Sequence, residues 1–504
     1  MSQNLFSLIR SRITDDDKTF IRTTDGRSFT YRETWDLSAK LANVLSAQGV
    51  VIGDRVAVQV EKSPEAIILY LACLRAGAVY LPLNTAYTLA ELEYFIGDAK
   101  PHVVVCSPEK HGEIEPMASA LGVFSTLTLG TNNDGTLAKE ADSASTVYET
   151  ALVEPTDLAA ILYTSGTTGR SKGAMLTHVN LASNARTLVE YWQFNDSDVL
   201  LHALPIFHTH GLFVATNVVL LSSASMCFLS KFDPRLIRAE LPSASVMMGV
   251  PTFYTRLLKE DWLDRAATDH MRLFISGSAP LLADTHREWT ERTGHHILER
   301  YGMTETNMIT SNPYDGSRVP GSAGMPLPGI SVRITEPETG APLPTNTPGM
   351  IEVKGPNVFK GYWRMPEKTQ SEFRADGYFI TGDIGYLDDK GYLFISGRSK
   401  DLVITGGYNV YPKEIETEID AIEGVEESAV VGLPHADFGE AVTAVVILKD
   451  GAQLNEAQVL ARLDPVLARY KLPKRVLFDK ALPRNTMGKV LKSEIRKQYD
   501  GLYK

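Results

Sequence analysis

The chain has 504 residues, 44% of them hydrophobic and 22% charged, which is too long for one core, because single cores stop growing at roughly 250–300 residues. Its formal net charge is −11, which opposes a general nucleic-acid role, since that needs a basic field. Cys73, Cys106 and Cys227 are too few and too scattered for a disulfide framework or a zinc site, and they suit the reducing cytoplasm. The longest apolar stretch, residues 66–83, is interrupted by Arg75, whereas a membrane span needs about 20 nearly unbroken apolar residues. The N-terminus meets Arg10 and Asp15 before any run long enough for a signal peptide. The expectation is a cytoplasmic, multidomain protein with no nucleic-acid partner and no membrane partner.

In chain order, residues 55–60 read as a strand and 64–75 as a helix stopped by Gly77. Residues 78–82 read as a second extended piece, 89–99 as a helix, and 102–106 as a β-branched strand. Such alternation predicts parallel sheet with crossover helices, an α/β architecture. The 132–145 stretch, rich in Asn, Gly, Ser and Asp, is expected to be a surface loop. Residues 385–391 predict a hairpin between short strands. Beyond them, helices at 412–422 and 456–467 and strands at 428–432 and 442–448 predict a small α+β domain of roughly 100 residues. The expected division is 1–399 and 400–504.

One segment stands out chemically. An apolar run, Ile161 to Tyr163, feeds Thr164, Ser165, Gly166, Thr167, Thr168, Gly169, Arg170, Ser171 and Lys172. Glycines let backbone amides turn toward an anion, hydroxyls add donors, and a lysine adds a point charge for phosphate. The spacing is not that of the Walker A loop. A plain surface turn has the same glycines, but the density of hydroxyls beside Lys172 favours a phosphate loop.

Four more motifs follow in order: Arg300-Tyr301-Gly302-Met303-Thr304-Glu305, Tyr378 to Asp383 (ending Thr381-Gly382-Asp383), Gly397-Arg398-Ser399-Lys400-Asp401, and Pro483 to Lys489 (ending Gly488-Lys489). With the loop above, this ordered set resembles the adenylate-forming superfamily, which comprises acyl-CoA synthetases, adenylation domains and beetle luciferases. The resemblance runs from about residue 20 to the C-terminus. Within the superfamily the chain is most similar to malonyl-CoA synthetases.

That resemblance implies ATP, Mg²⁺ and coenzyme A as reactants, and malonate (with methylmalonate as near neighbour) as the acid. It implies a large N-terminal domain with parallel-rich sheets and a small mobile α+β domain, hinged at Lys400. Glu305 is implied as a magnesium ligand, a role an oxygen donor fits. Asp383 and Arg398 are implied to hold the ribose. Gly277, Ser278, Arg300, Tyr301, Gly302, Met303 and Thr304 are implied to line the adenine and acyl-phosphate region. Lys489, in a loop and inert by ordinary standards, is implied to bridge carboxylate and α-phosphate. A lysine acetyltransferase and its deacetylase would then have a switch, because acetylation removes the charge. Gly406 and Gly407 are implied to leave room for the pantetheine arm.

The acid is harder to read. Leu204 to Gly211 includes His208-Thr209-His210; two histidines make an incomplete zinc site, and the resemblance implies that His208 faces or gates the carboxylate. A diacid's second carboxylate calls for a cation, and arginine meets it in bidentate fashion. Arg287 is the expected clamp, with Ser278 or His208 assisting, and Arg170 and Arg256 are its rivals. Activation of another short acid, acyl loading of a carrier protein, a luciferase-like oxygenase and a non-enzymatic nucleotide-binding module all stay open at this point.

Overall fold

The computed structural model describes residues 4–164, 171–405, 408–435, 437–467, 469–485 and 488–503. Two large parallel-rich sheets come first. In one, the Arg55–Gln59 strand lies between Val79–Pro82 and Val103–Cys106, all parallel. Leu158–Thr164 joins parallel to Val79–Pro82, and Lys172–Thr177 folds back antiparallel on it. Every residue of Val79–Pro82 and Val103–Cys106 is buried, as expected where crossover helices cover both faces.

The connecting helix Pro64–Ala76 illustrates the local logic. Ser63 Oγ accepts from the Ala66 amide at 3.1 Å, and Pro64 occupies the first turn, where its missing N–H costs nothing. Gly77 ends the helix at φ +72, and a β-carbon there would come within 3.0 Å of Ala151 and Ile52. Ile67, Ile68, Leu71 and their neighbours share one core with residues of both large sheets. That is why this helix is apolar all round.

The second large sheet has nine strands. Val199–His202, Ser225–Phe228, Val246–Gly249, Leu273–Ser276 and Leu298–Met303 run parallel within it. Their register sets His202 beside Phe228 and Met248, Gly249 beside Ser276, and Ser276 beside Glu299. The carboxyl ends of open parallel sheets are where ligands bind, because the loops there diverge. Strands Ser331–Thr335, Gly349–Lys354, Phe379–Leu387 and Leu393–Arg398 form an antiparallel sheet; the last two make the expected hairpin and set Asp383 opposite Arg398.

From Val403 onward the strands form their own sheet. Alternation along Gly439–Leu448 explains its two-sided packing. Val442, Ala444 and Val446 meet Ile415, Ile419, Val459 and Leu463, whereas Val445 and Ile447 meet Ile495. The surface loop expected at 132–145 is corrected by the structure. Thr136–Asp142 is a helix that buries Leu137, Ala138 and Ala141 and packs against helix Tyr31–Ala47. Small apolar residues among polar neighbours hid a short amphipathic face. No helix among the described residues is long and apolar enough to cross a membrane.

Candidate active site

The turn between strands Leu298–Met303 and Asn307–Ser311 carries Thr304 and Glu305. A β-carbon on Gly302 would lie 1.9 Å from the Asn307 carbonyl oxygen, so only glycine permits this close return. Glu305 is 5% exposed. Its Oε1 accepts from Tyr362 Oη at 3.1 Å and from Thr164 Oγ1 at 3.5 Å, and burial raises its pKa. Lys172 opens the strand beside Thr164, reaches Glu372 at 3.3 Å, and lies 4.0 Å from the centre of the Tyr362 ring. Tyr362 Oη is also 2.7 Å from Glu372. Thr164, Lys172 and Glu305 are thus brought together, whereas Ser165, Gly166, Thr167, Thr168, Gly169 and Arg170 lie outside the described residues.

Asp383 is 5% exposed and accepts from Tyr301 Oη at 2.6 Å while pairing with Arg398 Nε at 3.0 Å. Its own amide donates to Thr381 Oγ1 at 3.0 Å. Lys489 belongs to a tight loop in which Asn485 N–H donates to the Lys489 carbonyl at 2.9 Å. Gly488, at φ +77, lies against Thr252 in the helix Pro251–Leu257 that follows strand Val246–Gly249. Lys489 is half-buried, and its pKa is pushed down to about 8, mainly by burial and then by Arg398, with Asp383 opposing. Lys400 is exposed at the junction between the Arg398 strand and the final sheet. Gly406 and Gly407 lie outside the described residues.

Among the described residues no group of three metal-binding side chains exists. A divalent ion would therefore draw most of its oxygens from phosphate and water, the coordination Mg²⁺ favours. Glu305 fits that minimal role: it is a buried carboxylate whose protein partners are hydroxyls rather than a cation.

At the carboxyl ends of the nine-stranded sheet lies a different environment. Arg300 is 3% exposed, yet its Nε and Nη2 have no hydrogen-bond partner among the described residues. His208 Nε2, Thr209 Oγ1 and His210 Nε2 are likewise buried and unpartnered. Ser278, at φ +72, is 3.2 Å from His210 Nδ1, and a β-carbon on Gly277 would strike the Arg300 guanidinium at 2.3 Å. Burial holds the His208 pKa down at about 4 and lowers that of Arg300 to about 9. For His210, burial comes first, then Arg300, and its pKa falls well below the ordinary value.

Arg287, the expected clamp, is not brought into this pocket. Its side chain is 61% exposed on helix Ala283–Thr293 and pairs with Asp284 one turn away. The inward positions of that helix belong to His286 and Trp289. Its rival Arg256 is exposed as well. Sequence reasoning also missed Glu299, a buried acid with a pKa near 8 whose Oε1 accepts from the Leu281 amide. It missed Tyr362 and Glu372 too. The alternation along Leu298–Met303, which turns Glu299 and Arg300 to opposite faces, was the available signal.

Residues 11–363 match the family model described as AMP-binding enzyme, and residues 414–489 match the AMP-binding enzyme C-terminal domain. The chain is 37% identical to the mitochondrial malonate–CoA ligase of Mus musculus, covering 93% of this chain and 86% of that one. It is also 37% identical to a malonate–CoA ligase of Arabidopsis thaliana, covering 90% and 79%. The crystal structure of ATP-bound MatB from Rhodopseudomonas palustris is 62% identical, with both chains fully covered and a TM-score of 0.98; apo MatB gives 0.88.

Proposed function

Because the chain belongs to the AMP-binding enzyme family, we propose that it ligates malonate to coenzyme A in two steps. A malonate carboxylate oxygen attacks the α-phosphorus of ATP, giving malonyl-adenylate and expelling pyrophosphate. The coenzyme A sulfur then attacks the acyl carbon, loses its proton, and expels AMP. The relatives named malonate–CoA ligase support the acid. One observation carries the choice further: a buried guanidinium with two unpartnered nitrogens, Arg300. An uncompensated buried cation is costly, and an anion accepting from Nε and Nη2 relieves that cost in bidentate geometry.

Arg300 thus takes the clamp role the sequence suggested for Arg287, with Ser278, His208 and Thr209 completing the pocket. Lys172 and the loop before it hold the outer phosphates; Lys172 exchanges Glu372 for phosphate oxygen. Asp383 and Arg398 hold the ribose, and Gly277, Tyr301, Gly302, Met303 and Thr304 border the adenine and acyl-phosphate. Glu305 would hold Mg²⁺, and the ion would supply charge neutralisation for the departing pyrophosphate. Lys489 places a cation where negative charge develops between carboxylate and α-phosphate.

The position of Lys489 near Asp383 and Arg398 supports an adenylation pose, as does the closer likeness to the ATP-bound structure. Residues 400–504 then rotate about Lys400 as the small domain on the 1–399 body, bringing Gly406 and Gly407 toward the site for thioester formation. Lys489 is, on this reading, the residue at which an acetyltransferase would stop adenylation. Buried, unpaired Cys73, Cys106 and Cys227 support a reducing compartment such as the cytoplasm.

The test is AMP and pyrophosphate release from Mg·ATP with malonate, methylmalonate, succinate or acetate, with and without coenzyme A. Malonate-dependent AMP that accelerates with coenzyme A and yields malonyl-CoA is expected. AMP formation with acetate but not malonate refutes the acid assignment.

A further inference from the structure

Lys62 follows the Arg55–Gln59 strand of the seven-stranded sheet, yet its amino group reaches the carboxyl ends of the nine-stranded sheet. There Nζ donates to the His202 carbonyl at 2.9 Å and lies 3.0 Å from His202 Nδ1. The centre of the Phe228 ring is 4.3 Å away. Surface ion pairing does not explain this lysine. Charged or neutral, its amine still donates.

The other side of the His202 ring makes the arrangement informative. Nε2 lies 2.9 Å from the Gly211 carbonyl. A carbonyl only accepts, so Nε2 carries the hydrogen, and Nδ1 is left bare for the Lys62 donor. The Gly211 carbonyl thus sets the histidine tautomer, and Lys62, donating to Nδ1, reinforces it. Gly211 lies in the π-helical turn His210–Ala215, an irregularity in which the ordinary helical hydrogen-bond ladder is interrupted. Its carbonyl accepts a second bond from Thr216 Oγ1 at 3.0 Å. A β-carbon on Gly211 would lie 2.1 Å from the Pro205 carbonyl oxygen, so the loop carrying His208, Thr209 and His210 folds back onto this residue. From His210 the contact continues to Ser278 Oγ at 3.2 Å, beside Arg300.

We propose that Lys62 and His202 are positioning residues for the acid: Lys62 anchors His202 through Nδ1 and its carbonyl, and His202 Nε2–H pins the Gly211 carbonyl, holding the His208–His210 loop against Arg300. This rests on the acid-pocket reading above. Neither side chain touches nucleotide-binding groups, so a defect in the relay loosens the acid site and leaves the ATP site intact. A merely structural role moves both together or lowers only the melting temperature.

The experiment is steady-state kinetics, with malonate and ATP varied in turn, on wild type, Lys62→Met, His202→Leu and His202→Gln, each with a thermal melt. Lys62→Met and His202→Leu are expected to raise KM for malonate about tenfold, because small displacements of an orienting loop are expensive. KM for ATP should stay within about twofold. His202→Gln keeps an acceptor and a donor in one side chain, so it should recover most of the malonate affinity. Equal changes in both KM values, or no change in either, overturn the relay. If Lys62→Met or His202→Leu does not fold, Lys62→Gln and His202→Gln decide. Both retain the hydrogen-bond chain, and a tenfold malonate defect in both contradicts the proposal. Wild type lacking malonate-dependent AMP formation refutes the acid-pocket reading, and this assignment with it. An active wild type with a folded Lys62→Met and a folded His202→Leu that both leave KM for malonate unchanged refutes the relay alone.

Discussion

The nucleotide side of the site and the acid side are built on opposite principles. On the nucleotide side each functional group has a protein partner: Asp383 with Arg398 and Tyr301, Glu305 with Tyr362, and Lys172 with Glu372. On the acid side, Arg300, His208, Thr209 and His210 present buried polar atoms with none among the described residues. The first region is satisfied before substrate arrives, and ligand binding exchanges one partner for another. In the second, the described protein groups leave these buried polar atoms unclaimed, and a polar ligand can take them without displacing a protein partner. Affinity on the nucleotide side is therefore a small difference between large terms, whereas on the acid side a ligand displaces no protein partner from these atoms.

The largest expected effect falls on the lysine shared by both regions. Lys489→Ala should slow malonyl-adenylate formation by about 10²–10³-fold, the usual loss for one electrostatic stabiliser. Thioester formation from supplied malonyl-adenylate should persist; loss of both half-reactions contradicts the bridging role. Next comes Asp383→Asn, which weakens the charge-assisted bonds without deleting the side chain. KM for ATP should rise about tenfold, roughly 1.4 kcal/mol, with KM for malonate unchanged, as steady-state kinetics will reveal.

A smaller effect is read from pH. Lys489, with its pKa pushed down to about 8, acts as a cation, so deprotonation on raising pH removes the charge. Adenylation measured by pyrophosphate release should fall through pH 8, approaching tenfold per unit above it, while Lys489→Arg should hold its rate to higher pH. A flat profile to pH 9.5 (about 1.5 units above that value) argues against the lysine as the acting cation. Smallest of all, Arg287→Ala removes an exposed pair with Asp284, and such pairs contribute about 0–1 kcal/mol. Its KM for malonate should stay within about twofold; a loss of malonate use returns the clamp to Arg287.

The same contrast explains what could be read from the sequence. Helix Leu89–Ala99 and the hairpin around residue 388 were legible because turn residues and apolar periodicity are local signals. Asp383 and Arg398 were legible as motifs, and cross-strand pairing explains their order: they face each other in adjacent strands. Helix Thr136–Asp142 was not legible, since three small buried residues scarcely alter a polar composition. The identity of the clamp was not legible either. Arg287 stands where an arginine decorates a helix, while Arg300 hides inside a motif already explained by its neighbours. Only burial, a property of the folded chain, separates the two.

The contrast between a satisfied and an unsatisfied half is tested most directly by Arg300→Met, assayed for pyrophosphate release with malonate and with propionate. Malonate kcat/KM should fall by about 10²-fold or more, because the second carboxylate loses its buried partner. Propionate use should appear, and the unliganded protein should melt no lower than wild type, since a buried cation with unclaimed nitrogens has been replaced by an apolar chain of similar length. Malonate kinetics unchanged in a folded Arg300→Met protein would contradict that contrast.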